Sequence, residues 1–114
     1  MHFHELLFDK ATDNKRRWAA RIGGTEFKLY IPEASVPDPA PRVLRVALSR
    51  TAFTNDSFLP RLTAALEFVE EHTETVQYKP TGDPKTWRIG QPYIPKALLV
   101  QPWPDLMLIG ITWG

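Results

Sequence analysis

The 114 residues contain no cysteine. Disulfides, thiolate metal sites and cysteine nucleophiles are therefore excluded, and the absence fits a reducing compartment. Long apolar runs are also missing. The longest, Leu106 to Ile111, falls far short of the ~20 residues a membrane helix needs. The opening Met1-His2-Phe3-His4-Glu5 offers neither a basic region nor a long apolar stretch. No signal peptide and no membrane partner are expected, and the expected location is cytoplasmic. Nor does charge of one sign dominate, since the net charge is +1, so no global field demands nucleic acid or a membrane surface. The balance is uneven along the chain: residues 1–50 hold nine Lys/Arg against six Asp/Glu, and residues 51–114 hold five against seven.

Catalytic motifs are lacking as well. There is no G-x-S-x-G elbow, no phosphate-binding P-loop, no G-x-G-x-x-G and no H-E-x-x-H. Ser35, Ser49 and Ser57 fall in a loop, a strand end and a helix cap. The pair His2-x-His4 would project from one side of a strand, as metal ligands do, but a third ligand, His72 or a carboxylate, is not placed near it by the sequence. No cofactor and no metal site are expected, and an enzyme is not the leading reading.

What remains is an ordinary globular composition, with 43% hydrophobic and 24% charged residues. It implies one domain spanning 1–114 that folds on a single core. The clearest local signal lies between Arg17 and Ile31. Trp18, Ala20 and Ile22 alternate with Arg17, Ala19 and Arg21, Gly23-Gly24 interrupts, and Phe27, Leu29 and Ile31 alternate with Glu26, Lys28 and Tyr30. Two alternating runs joined by two glycines predict a β-hairpin. Its register sets Arg21 opposite Glu26 and Arg17 opposite Tyr30.

Around this hairpin, strands are expected over 2–8, 42–49, 74–79, 86–89 and 106–113, with Gly110 marking a bulge. Residues 32–41 hold four of the eleven prolines and read as an extended crossover. One α-helix, about 57–72, is expected from Phe58, Leu62, Ala65, Leu66 and Val69 at helical spacing, capped by Asp56 or Ser57 with Pro60 in its first turn. The fold class that follows is α+β: a mostly antiparallel sheet of about five to seven strands, curled toward a partial barrel, with the helix on one face. Its stripe Leu62, Leu66 and Val69 is expected to pack against Trp18, Phe27 and Leu29.

Two candidate binding features stand out. The first is a basic strip of Lys15, Arg16, Arg17 and Lys28 with Tyr30 as a stacking ring. The second is Trp103, stiffened between Pro102 and Pro104, a candidate anchor for a partner. A third cluster, Glu67, Glu70, Glu71, His72 and Glu74, reads as a solvated helix end. The leading functional expectation is a small soluble interaction module or inhibitor acting by surface complementarity on a protein partner, without catalysis. Two alternatives stay open: a nucleic-acid binder using the basic face of hairpin 15–31, and a small enzyme with scattered residues such as Tyr30, His72 or Asp83, assembled in a homo-oligomer.

Overall fold

In the computed structural model, which describes residues 3–53 and 58–114, the chain is built almost wholly from strands. They are β1 (His4–Ala11), β2 (Lys15–Ile22), β3 (Thr25–Pro32), β4 (Val43–Ser49), β5 (Leu62–Glu71), β6 (Thr75–Pro80), β7 (Tyr93–Pro95) and β8 (Leu106–Thr112). Short 3-10 turns cover Glu33–Ser35, Pro84–Thr86 and Lys96–Leu98. All eight strands form one antiparallel sheet in the order β3-β2-β1-β4-β8-β5-β6-β7. The sheet curls until its two edges meet: Gly90 N–H donates to Tyr30 C=O at 2.9 Å, beside β3. The result is a nearly closed barrel, and the expected α+β class is corrected to all-β.

The helix expected over 57–72 is a strand from Leu62 to Glu71. Leu62 and Leu66 lie four apart, as on a helix, yet Leu62, Ala64 and Leu66 also alternate. The neighbours choose between the two periods. β8 pairs Ile111 with Leu62 and Ile109 with Ala64 on one side, and β6 pairs Tyr78 with Phe68 on the other. A bulge between Phe68 and Glu70 then shifts the phase, which leaves Val69 39% exposed and outside the core. Leu62 and Leu66 do share a core with Trp18, Phe27 and Leu29, but they do so as barrel strands. The proposed caps Asp56 and Ser57 lie outside the described residues, as does His2.

The hairpin has the expected register. Arg17 pairs with Tyr30, Trp18 with Leu29 and Arg21 with Glu26, around Gly23 (φ 59°) and Gly24 (φ 80°). Its inward face meets Leu6, Leu44, Val46, Val76, Tyr78, Ile94, Met107, Ile109 and Ile111 from around the barrel. Eight strands leave an interior just wide enough for side chains, and these fill it. The largest aromatics also fasten the loops by their polar tips. Trp18 Nε1–H donates to Pro41 C=O and Tyr78 O–H to Pro104 C=O, each at 2.8 Å.

Two smaller expectations change. Residues 86–89 form no strand, because a 3-10 turn capped by the Asp83 side chain ends at Thr86, and Ile89 then plugs the barrel as a buried single residue. Gly110 marks no bulge: its pairing with Ala47 and Thr63 is unbroken. It serves close approach instead, since a Cβ there would sit 2.9 Å from the Phe53 ring and 3.0 Å from the Phe58 ring. These rings, with Phe3 stacked on Phe58 at 6.3 Å, form a small apolar cover on the outside of the β4–β8 pair. Among the described residues no helix is long and apolar enough to cross a membrane.

Candidate functional site

Folding gathers the basic strip expected from sequence but also neutralises most of it. Arg16 Nη2 pairs with Glu33 Oε2 at 3.0 Å and Lys28 Nζ with Glu26 Oε1 at 3.1 Å. Arg17 donates from Nε to Asp9 at 2.6 Å and from Nη1 to the Tyr30 hydroxyl at 3.0 Å. The Tyr30 bond first, and Asp9 after it, hold the Arg17 guanidinium above its ordinary value, so it stays a cation. Its Cζ also lies 5.7 Å over the Tyr30 ring, which occupies the proposed stacking platform. Asp9 reaches Arg17 from the bulge between Phe8 and Lys10. Lys15 stays exposed beside a hollow lined by Thr12, Asp13, Asn14 and Tyr30.

Trp103 sits at the opposite end of the barrel, half-buried against the core rather than presented to solvent. Lys96 Nζ lies 5.7 Å over its ring and reaches Glu71 at 2.6 Å. The Lys96 bond, and secondly the Trp103 N–H, lower the Glu71 carboxyl below its ordinary value. Trp103 Nε1 completes no hydrogen bond of good geometry, so its effect on Glu71 is that of a nearby dipole. Part of the acidic cluster is likewise paired: Glu67 faces Lys79 at 3.4 Å and Glu70 faces His72 at 3.5 Å. His72 bonds Gln77 at 3.1 Å and lies 5.3 Å from the Tyr93 ring. Among the described residues no group of His, Asp or Glu could hold a metal ion.

A different surface has the character of a binding site. Across the outside of β2, β1 and β4, Ala19, Leu7 and Val43 stand in one cross-strand row. Leu7 is 61% exposed and Val43 36% exposed, where outward strand positions ordinarily carry polar side chains. Leu7 and Val43 join Phe8, Ala40 and Arg42 around one hollow. Arg42 and Val43 also border a second depression of about 390 Å³, walled by Pro37, Pro39, Pro41, Arg45 and Trp113. Arg61 packs on Trp113, with Cζ 5.5 Å over the Trp113 ring and Nε donating to Trp113 C=O at 2.8 Å. Arg45 turns toward the Phe3 ring, 5.8 Å from its centroid.

This surface is assembled from the proline loop, the starts of β4 and β5, the middle of β1 and the end of β8. The carbonyl of Pro41, held by Trp18, fixes the loop against the barrel. The surface sets exposed aliphatic side chains beside guanidinium groups, the combination found in protein interfaces. In sequence, Leu7, Val43 and Trp113 are plain strand positions. The one local signal is Leu7, Val43 and Arg45 falling on the face that alternation assigns to solvent. Comparison with protein-family models, curated proteins and solved structures finds no match.

Proposed function

We propose that this protein is a non-enzymatic interaction module that binds a protein partner through the outer face of β2, β1 and β4. One observation carries the reading: the row Ala19, Leu7 and Val43 puts aliphatic side chains in the middle of an outward sheet face. Such a contiguous patch is costly to leave in water and marks an interaction surface. The filled barrel interior supports the same reading, since small-molecule sites are ordinarily concave and enclosed. Support for nucleic acid on hairpin 15–31 is weaker, because Arg16, Arg17 and Lys28 of its basic strip have acidic partners within the fold.

The test is affinity capture from the native host with the double variant Leu7→Asp, Val43→Asp. A specific protein retained by the parent should be lost by this variant and kept by Leu59→Asp, which alters an exposed leucine elsewhere. Circular dichroism melting verifies that all three proteins fold. If the double variant retains the same protein, the reading fails. If light scattering shows that the parent is a dimer dissolved by the double variant, the partner is a second copy of the chain.

A further inference from the structure

We infer that the groove between the proline loop and Trp113 takes a carboxylate-rich, extended stretch of the protein partner. The inference rests on the module reading above and adds the chemistry of what is bound.

Two guanidinium groups line the groove, those of Arg42 and Arg45, and a third, that of Arg61, lies over Trp113. All three are exposed, and among the described residues none forms an ion pair with a carboxylate, unlike Arg16, Arg17 and Lys28. Two carboxylates border the surface: Asp38 within the proline loop, and Glu5 opposite Arg45 in the β1–β4 ladder. Gly114 also lines the groove, but among the described residues no carboxylate pairs with Arg42 or Arg45, so both guanidinium groups remain available to a partner. Guanidinium forks match carboxylates two bonds at a time, which makes arginine the residue suited to such recognition.

The wall opposite Trp113 selects for shape. Pro37, Pro39 and Pro41 have no backbone N–H to offer, so a bound segment finds side-chain contacts there and no strand pairing. The rings give a stiff, pre-ordered wall, which lowers the entropy lost on binding. Arg42 and Val43 belong to both depressions. A segment lying along the groove therefore runs onto Leu7 and Val43, where a bulky apolar side chain of the partner would bury. The pattern fits acidic residues interspersed with leucine or phenylalanine. Stacked bases fit less well, because Arg61 covers one face of Trp113 and Arg45 lies over Phe3.

The probe is a fluorescein-labelled peptide alternating glutamate and leucine, with two comparisons: the same peptide with glutamine for glutamate, and a single-stranded oligothymidine. Fluorescence anisotropy on the full chain should show binding of the glutamate peptide that weakens as salt rises. The double variant Arg42→Glu, Arg45→Glu should weaken it by about tenfold or more, the scale of one lost charge-assisted contact. Arg42→Gln, Arg45→Gln carries the same test should the glutamate variant fail to fold. Equal binding of the glutamine peptide, or unchanged affinity in both variants, overturns the inference. Binding of oligothymidine as tight as the peptide and equally sensitive to the variants also overturns it, in favour of nucleic acid. If Leu7→Asp, Val43→Asp still abolishes capture while the peptide fails to bind, only this inference falls and the module reading stands.

Discussion

Tyr78 shows how single side chains hold this barrel together. Its ring is fully buried, meets Phe68 edge-on at 6.0 Å and sends its hydroxyl to the Pro104 carbonyl. Burial is the main reason its phenol is held above the ordinary value, with Asp105 adding to the rise and Arg50 opposing it. The folded protein thus keeps a proton that the unfolded chain releases near pH 10. The sign follows: this contribution is intact below about pH 10 and is lost as pH climbs toward the folded value. Tyr78→Phe should cost about 1–2 kcal/mol at neutral pH, because the buried Pro104 carbonyl loses its donor. It should also flatten the fall in stability above pH 10, measured by urea unfolding of parent and variant across pH. A variant as stable as the parent, with the same alkaline slope, would remove Tyr78 as a tie. Trp18 makes the equivalent tie to Pro41, and through it positions the loop that lines the candidate groove. Both ties join residues over 20 positions apart, which is why alternation marked the rings as core but could not reveal what their polar tips hold.

At the scale of elements, the sequence is readable where structure is decided locally and opaque where it is not. The β2–β3 hairpin was legible because two glycines at positive φ dictate a two-residue turn and the alternation of Trp18 to Ile31 then fixes register. The turn also allows a discriminating prediction. Gly23 and Gly24 both have positive φ, so alanine at either should cost about 1–2 kcal/mol. Only at Gly23 would a Cβ collide, 2.8 Å from the Ala97 Cβ, whereas the space around Gly24 is open. Gly23→Ala should therefore lower the melting temperature more than Gly24→Ala, by an overpacking cost of about 1–3 kcal/mol. Equal losses in thermal melts would mean that the turn does not press on the Lys96–Leu98 segment. β5 is the contrasting case. Leu62, Ala64 and Leu66 satisfy a helix and a strand alike, and the decision is made by β8, more than 40 residues later in the chain, inserting beside it. Local periodicity holds no record of that insertion.

At the scale of the whole molecule, the same logic explains the binding surface. The sequence exposed its cations but not their partners, so Lys15 to Arg17 drew attention for their adjacency, although Glu33 and Asp9 come to meet them. Arg42, Arg45 and Arg61, which form no ion pair among the described residues, are brought near Trp113 by the pairing of β8 with β4 and β5, whereas the barrel closes elsewhere, where β3 meets β7. That closure is itself incomplete, and the weakness has a location. β7 is three residues long and ends at Pro95, with Pro92 just before it, and neither proline can donate across to β3. In a two-residue hairpin Thr25, Phe27 and Leu29 bond to β2, which leaves Glu26, Lys28 and Tyr30 facing the seam. Among the described residues only Tyr30 makes a backbone bond there, accepting from Gly90; Glu26 and Lys28 charge the remaining edge and so guard it against pairing with other chains. Hydrogen exchange should report this asymmetry. The Glu26 and Lys28 amides should exchange far faster than those of Phe27 and Leu29 one residue away. The Gly90 amide should be protected, though less than Ile109 within β8, which is flanked by β4 and β5 on both sides. Uniform protection along β3 would mean that the seam is zipped and the barrel fully closed in solution. Fast exchange at Gly90 as well would mean that the two edges separate, so that the barrel is an open curled sheet for part of the time.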